Sequence, residues 1–343
     1  MAATRKTQII KVIGATITIV LTAGTPVGMY YGGISWFGVG FFLVTGYFCM
    51  LTQEAFYHRY FAHQSFKTSR TFQFIMGILA ELAPVRGPIW WAANHRDHHK
   101  YTDTERDPHT PTKGWWQSYM GWVYTDAYIA HNYKNAADLT RYKELRIIDK
   151  LFWVPMLVSF ILCYWLGSHL EQTRPELGTN GLQLLVFGGF MRVLYPIHIM
   201  AWINYFTHST YYNWGYRNFD SPDTSRNVWF LGILGAGVGW HNNHHKHGRY
   251  ASTRVMWWEI DASAALIWVL EKCGIVWNVR WIPESYREEA RAYRALVAAH
   301  GEPEPRIGVG PSEGRRPQTT GSTSVSEEAS LTSAATPEER LAS

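Results

Sequence analysis

The sequence predicts an all-α membrane protein: four transmembrane helices with a cytoplasmic helical cap carrying a histidine-box di-metal site. Three observations lead there. Residues 12–53 contain no Asp, Glu, Lys or Arg. Of the 343 residues, 47% are apolar, only 17% are charged and 17 are Trp, a residue that favours the membrane–water boundary. Fifteen residues are His, and they cluster. The net charge of +5 does not by itself imply a nucleic-acid partner. Lys and Arg gathered on one side of a membrane protein give the same sum. Cys49, Cys163 and Cys273 are scattered in apolar surroundings and form no C-x-x-C pair, so neither a disulfide framework nor a thiolate metal site is expected.

The uncharged stretch is 42 residues long, and one bilayer crossing needs roughly 20. It reads as two spans, about 10–31 and 34–55, with turn signals at Gly24–Pro26 and Tyr30–Gly33. Residues 56–150 form the first part of the cap and include a short apolar segment, Phe72–Pro84. A third span covers about 151–170. A fourth covers about 181–206, within a stretch whose only formal charge is Arg192. The cap resumes over 207–300. Its apolar runs Val228–Trp240 and Ala262–Leu270 are too short to cross and read as buried or interfacial helices. From 301 to 343 the chain is mostly Gly, Pro, Ser, Thr and Glu, which predicts a disordered tail after a single domain, 1–300.

Four spans put the N-terminus, the long loop and everything after the fourth span on one side. Those three parts hold 3, 13 and 14 of the Lys and Arg, whereas the opposite side holds only Arg174. The bias makes the large polar side cytoplasmic, with both termini there. In a bacterium this would be a multi-pass protein of the plasma membrane.

The histidine boxes are His58-Arg-Tyr-Phe-Ala-His63, His95-Arg-Asp-His98-His99 and His241-Asn-Asn-His244-His245. All lie on the cytoplasmic side of this topology. Residues four apart on a helix share a face, so His95 with His99, and His241 with His245, can each grip one ion. His98 and His244 point away and can feed a second ion. His208, near the end of the fourth span, adds a ninth imidazole, and Asn204 one turn earlier could steady a water on the ion. Neutral imidazole suits iron, copper, nickel or zinc, and its pKa of about 6.5 leaves most of it unprotonated at neutral pH. No carboxylate is expected among the ligands, which leaves the metal charge uncompensated. His109, His131, His169, His198, His247 and His300 read as structural or exposed. His198 and Arg192 stand out because polar groups inside a membrane are costly and often functional.

These boxes, with Asn94-His-Arg-Asp-His-His-Lys100, Asp107-Pro-His109, Asn204-Tyr-Phe-Thr-His208, Gly215-Tyr-Arg217 and Gly239-Trp-His-Asn-Asn-His-His245, are similar to the membrane fatty acyl desaturase family. The resemblance is closer to the Δ9, stearoyl-CoA desaturase-like branch and spans roughly residues 10–280. It implies a non-haem di-iron enzyme that uses O2 as co-substrate to place a cis double bond, at Δ9, in a saturated acyl chain. It implies one iron held by His58, His63, His95, His99 and His244. The other iron would be held by His98, His208, His241 and His245, with Asn204 acting through water. In the animal acyl-CoA enzymes an Arg-Asp pair that touches CoA precedes the second box. Here Ala93-Asn94 stands in its place, so CoA, acyl carrier protein and a membrane lipid remain candidate carriers. No flavin, haem or nicotinamide motif is present, so electrons would come from a partner such as ferredoxin, rubredoxin or cytochrome b5. An alkyl-chain hydroxylase or oxidative decarboxylase on the same scaffold is the rival enzyme reading. A metal transporter is the rival outside enzymes. It would place ligands near mid-bilayer, whereas these boxes lie beyond the span ends.

Overall fold

A computed structural model describes residues 5–83, 85–129, 133–209 and 214–303. His131 and the tail from residue 304 lie outside the described residues. Helix α1 (Arg5–Gly32) is followed by a turn at Gly33, whose φ of +74° suits glycine, and by α2 (Trp36–Thr52), capped by Ser35 Oγ accepting from Gly38 N. The turn signal at Gly24–Pro26 is not used: α1 runs straight through Pro26. In hydrocarbon a broken helix would strand several backbone groups, whereas a proline within a continuous helix costs about one bond. Chain-wise there follow α3 (Arg70–Ala80), α4 (Pro88–Tyr101), α5 (Trp115–Tyr119), α6 (Asp126–Ile129), α7 (Ala137–Thr140) and α8 (Lys143–Lys150). Next come α9 (Trp153–Thr173), α10 (Gly181–Leu185), α11 (Arg192–Phe206), α12 (Trp229–Leu234), α13 (His241–Lys246), α14 (Ala262–Lys272) and α15 (Glu284–His300). One two-residue antiparallel pair joins β1 (Lys67–Thr68) to β2 (Val276–Trp277).

Four helical segments are long and apolar enough to cross a membrane: Gln8–Gly32, Trp36–Ala62, Trp153–Thr173 and Gly181–Phe206. Together they make this an integral membrane protein. They pack through small residues. A Cβ at Gly188 would come within 2.2 Å of Phe41, and one at Gly167 within 2.3 Å of the Asn180 carbonyl, so backbones approach as membrane helices require. Arg192, in the fourth span, is buried, and among the described residues its guanidinium meets no backbone carbonyl. Its Nη2 donates to Ser159 Oγ at 2.5 Å and its Nη1 to Cys49 Sγ at 3.7 Å.

Two local features aim the boxes. The second span continues beyond α2 as a π-helix, Gln53–Ala62, and His63 N donates to His58 O at 3.2 Å. Residues five apart are about 140° apart on an α-helix, but the wider π turn brings them onto one side. That is the reason an H-x4-H box works. In the second box, α4 begins at Gly87-Pro88 with no side-chain cap of its own. Asp149, at the end of α8, supplies it: Oδ1 accepts from Ile89 N and Trp90 N, both at 2.9 Å. Gly87 makes room, since a Cβ there would lie 2.4 Å from Asp149.

Glu81 ends α3 fully buried, and neither carboxylate oxygen finds a hydrogen-bond partner among the described residues. Burial, then repulsion from Asp149, pushes its pKa up to about 9. Between the usual value of 4.5 and about 9, the unfolded chain ionises while the folded one stays protonated, so stability falls as pH rises through that window. Glu81→Gln should flatten this decline in thermal-unfolding midpoints measured in detergent. Equal slopes for variant and parent would contradict the assignment.

Candidate metal centre

The nine predicted ligand side chains come from four places: His58 in the π-helix and His63 at its end, His95, His98 and His99 in α4, His208 just past α11, and the third box in α13. The structure gathers them into two groups whose ring nitrogens lie within 4.8 Å of one another: His58, His63, His95, His99 and His244, and His98, His208, His241 and His245. In the first group, Nε2 atoms approach at 2.8 Å (His58–His244), 2.9 Å (His63–His95), 3.0 Å (His95–His99) and 2.8 Å (His99–His244). In the second they approach at 2.9 Å (His208–His241) and 3.3 Å (His98–His245). Neighbouring ligands at right angles around one ion, each about 2.1 Å from it, would be ~3.0 Å apart. Without a cation between them, converging lone pairs at such distances repel. Asn204 is buried and lines the adjoining cavity, and its carbonyl accepts from Ser118 Oγ at 3.1 Å.

The rings are held from behind. Glu54 Oε2 accepts from His58 Nδ1 at 2.6 Å, Asp107 Oδ2 from His98 Nδ1 at 3.1 Å, and Asp223 Oδ2 from His245 Nδ1 at 3.1 Å. Asp103 Oδ1 lies 3.3 Å from His208 Nδ1, and His241 Nδ1 faces the Val238 carbonyl at 3.3 Å. A donor–acceptor contact at Nδ1 fixes the tautomer that leaves Nε2 with its lone pair facing inward. The expectation of an uncompensated metal charge is therefore corrected. Arg59 donates to both Glu54 and Asp261. With that cation counted against Glu54, Asp261, Asp103, Asp107 and Asp223, four negative charges remain, matching two divalent ions.

Burial, then the neighbouring imidazoles, holds His63, His95, His99, His241 and His244 far below the ordinary histidine range. His245 is lowered to about 4 by burial, against the pull of Asp223. At His208 burial also lowers the pKa, but Asp103, Asp223 and Asp107 together outweigh it and the net shift is upward. Burial raises Asp107 and Asp223, yet the histidines beside them dominate and hold both carboxyls well below the usual range. Neutral imidazoles backed by ionised carboxylates form a donor set that fits a pair of divalent transition metals.

His109, read from the sequence as structural or exposed, belongs to the site. It is buried, its ring centre is 4.2 Å from that of His98, and its Nδ1 is 3.6 Å from Asp107 Oδ1. Burial lowers its pKa to about 3. The Asp107-Pro-His109 spacing carried that signal. Glu54 was also legible, four residues before His58 on a helix, whereas Asp223 arrives from a distant loop. Beside the clusters lies a cavity of about 60 Å³, lined by His95, His109, Asn204 and by apolar residues including Trp91, Trp122 and Met200. His198 lies away from the metal groups and pairs with Tyr119 OH at 2.7 Å.

A fatty acid desaturase family profile matches residues 34–297. Among curated relatives, an acyl-CoA 5-desaturase of Anemone leveillei is 30% identical over 70% of this chain and 70% of its own. A Delta-9 acyl-lipid desaturase of Arabidopsis thaliana is 32% identical over 69% and 73%, respectively. A hex-5-enoyl-[acyl-carrier protein] acetylenase of Moorena producens is 33% identical over 68% and 74%. A membrane helix bundle with two gathered histidine groups and this similarity lead to one conclusion: the chain belongs to the fatty acid desaturase family and is an oxidoreductase acting on fatty acyl chains.

Proposed function

We propose that residues 1–300 form an O2-dependent desaturase that places a cis double bond, at Δ9, in a saturated acyl chain at a non-haem di-iron centre. His58, His63, His95, His99 and His244 hold one iron, and His98, His208, His241 and His245 the other, with Asn204 acting through water. Both termini face the cytoplasm. The observation that carries this reading is the convergence of nine inward-facing imidazoles, five of them buried and four half-buried, beside a largely apolar cavity.

The chemistry sets the requirement. Unactivated C–H bonds are out of reach of side-chain acids and bases, and the bound iron pair supplies the activation of O2. One –CH2–CH2– unit, O2, two electrons and two protons become one alkene and two waters. The electrons come from an external one-electron carrier. The chain's own part is placement and exclusion. Trp91, Trp122 and Met200 line a slot that holds a methylene pair and keeps bulk water from the reacting carbons. Glu54, Asp103, Asp107 and Asp223 keep the ligand rings in register.

Expression in a host lacking its own desaturase, followed by gas chromatography of total fatty acids, checks the reaction. A new monounsaturated chain is expected. A hydroxylated chain with no alkene would contradict it.

A further inference from the structure

An uncharged segment, residues 115–125, runs between the cavity beside the clusters, which its Trp122 lines, and the first and fourth spans, which its side chains contact. In the half of the membrane away from the clusters these spans are pressed together. A Cβ at Gly28 of α1 would lie 2.3 Å from Val186, and one at Gly24 would lie 2.9 Å from Phe190. Towards the clusters they part, and Gly14 of α1 has nothing within 4 Å of its Cβ position. Residues 115–125 carry no formal charge and occupy the opening. On one side Tyr124 OH donates to Thr18 Oγ1 at 3.2 Å, and Asp126 pairs with Lys11 at 2.6 Å. On the other side Tyr119 OH meets His198 Nδ1 at 2.7 Å, and Ser118 Oγ donates to the Asn204 carbonyl at 3.1 Å.

The depth of this segment is that of a lipid leaflet. Thr18 lies ten residues inside the first candidate span, about 15 Å along a helix and about half the hydrocarbon thickness. Outward, Trp115 and Trp116 are 57% and 54% exposed, as suits residues bathed in acyl chains near the interface. Inward, Trp122 lines the cavity and packs 5.0 Å from His109. Gly114, with φ +95° and open space around its Cβ position, provides a pivot before the segment. Among the described residues, no Lys, Arg, Asp or Glu lines the cavity, as suits a stretch of acyl chain.

We propose that the saturated chain enters sideways from the cytoplasmic leaflet, through the gap that Trp115–Tyr124 closes, and that the substrate is a membrane-resident glycerolipid. The head group stays at the interface while the segment swings aside and then reseals the cavity against lipid and water. This rests on the desaturase reading and adds to it the carrier and the route.

Tyr119→Cys with His198→Cys, in a background where the exposed Cys273 is Ser, can be joined by a bismaleimide whose linker contains a reducible disulfide. The protein is held in nanodiscs of dipalmitoyl phosphatidylcholine and supplied with reduced ferredoxin. The uncrosslinked double variant sets the reference rate. Clamping should cut alkene formation in the lipid by at least ~10-fold, as expected for a blocked gate, and dithiothreitol should restore it. An unchanged rate after clamping would overturn the route. Parent protein that desaturates palmitoyl-CoA or palmitoyl-carrier protein in preference to the lipid would overturn the carrier. A readout without turnover keeps the two readings apart. Phosphatidylcholine bearing a mid-chain diazirine should label residues 115–124 and 198–204. Labelling with no alkene from any carrier sinks the desaturase reading alone, and an unlabelled cavity sinks lateral entry whatever the activity.

Discussion

His98→Ala should abolish double-bond formation while the protein still inserts in the membrane and keeps its helical content. His98 Nε2 is one of four ligand atoms in the second group, and the side chain is buried beside His245, His208 and His109. Removing it leaves three imidazoles for that ion and opens a void the size of a ring. The first group keeps all five of its residues. Metal content should therefore fall from two ions per chain towards one, with a loss of turnover on the order of 10³-fold or more. Metal analysis and gas chromatography on the same preparation check both halves. Full metal content with lost activity would place His98 in substrate handling rather than ligation.

Asp107→Asn should have the second largest effect, although Asp107 belongs to neither of the two histidine groups. Its Oδ2 accepts from His98 Nδ1 and from Asp103 N, both at 3.1 Å, while Oδ1 accepts from His109 N at 3.2 Å. An amide keeps the shape and removes the charge. It can also present its NH2 to Nδ1 of His98, which selects the tautomer with a proton on Nε2 and blocks that nitrogen as a ligand. Loss of such a partner typically weakens metal binding by about 10–100-fold. The variant should regain occupancy, and with it much of its activity, when metal is supplied in excess. The double variant with His98→Ala should be no worse than His98→Ala alone, because both act through one ring. Additive losses in the double variant would show that Asp107 has a separate task.

Much of this architecture could be read from the chain before any coordinates, for identifiable reasons. Charge-free stretches of helical length have few alternatives in a bilayer, so the membrane character and the helical fold followed from composition. The i, i+4 rule paired His95 with His99 and His241 with His245, and the structure places each pair around one point. The rule could not treat the first box, because His58 and His63 are joined by a π turn that no residue pattern announces. Pro26 was misread for a related reason. Proline ends helices in water, where freed backbone groups are hydrated, whereas in a membrane the helix is kept. The carboxylates behind the rings were the largest omission. Asp103 and Asp107 lie four and eight residues beyond His99, but the chain leaves the helix at Thr102. Periodicity therefore fails there, and only the tertiary fold returns them to the imidazoles.

The central claim is that nine imidazoles hold two oxygen-activating irons. Protein expressed with ⁵⁷Fe and purified without oxygen offers the most direct measurement, by Mössbauer spectroscopy with metal quantification on the same sample. The account predicts two ferrous ions per chain in nitrogen-rich sites, both oxidised when O2 and a saturated acyl substrate are admitted. A fully active preparation holding a single ion per chain, or zinc in place of iron, would contradict it.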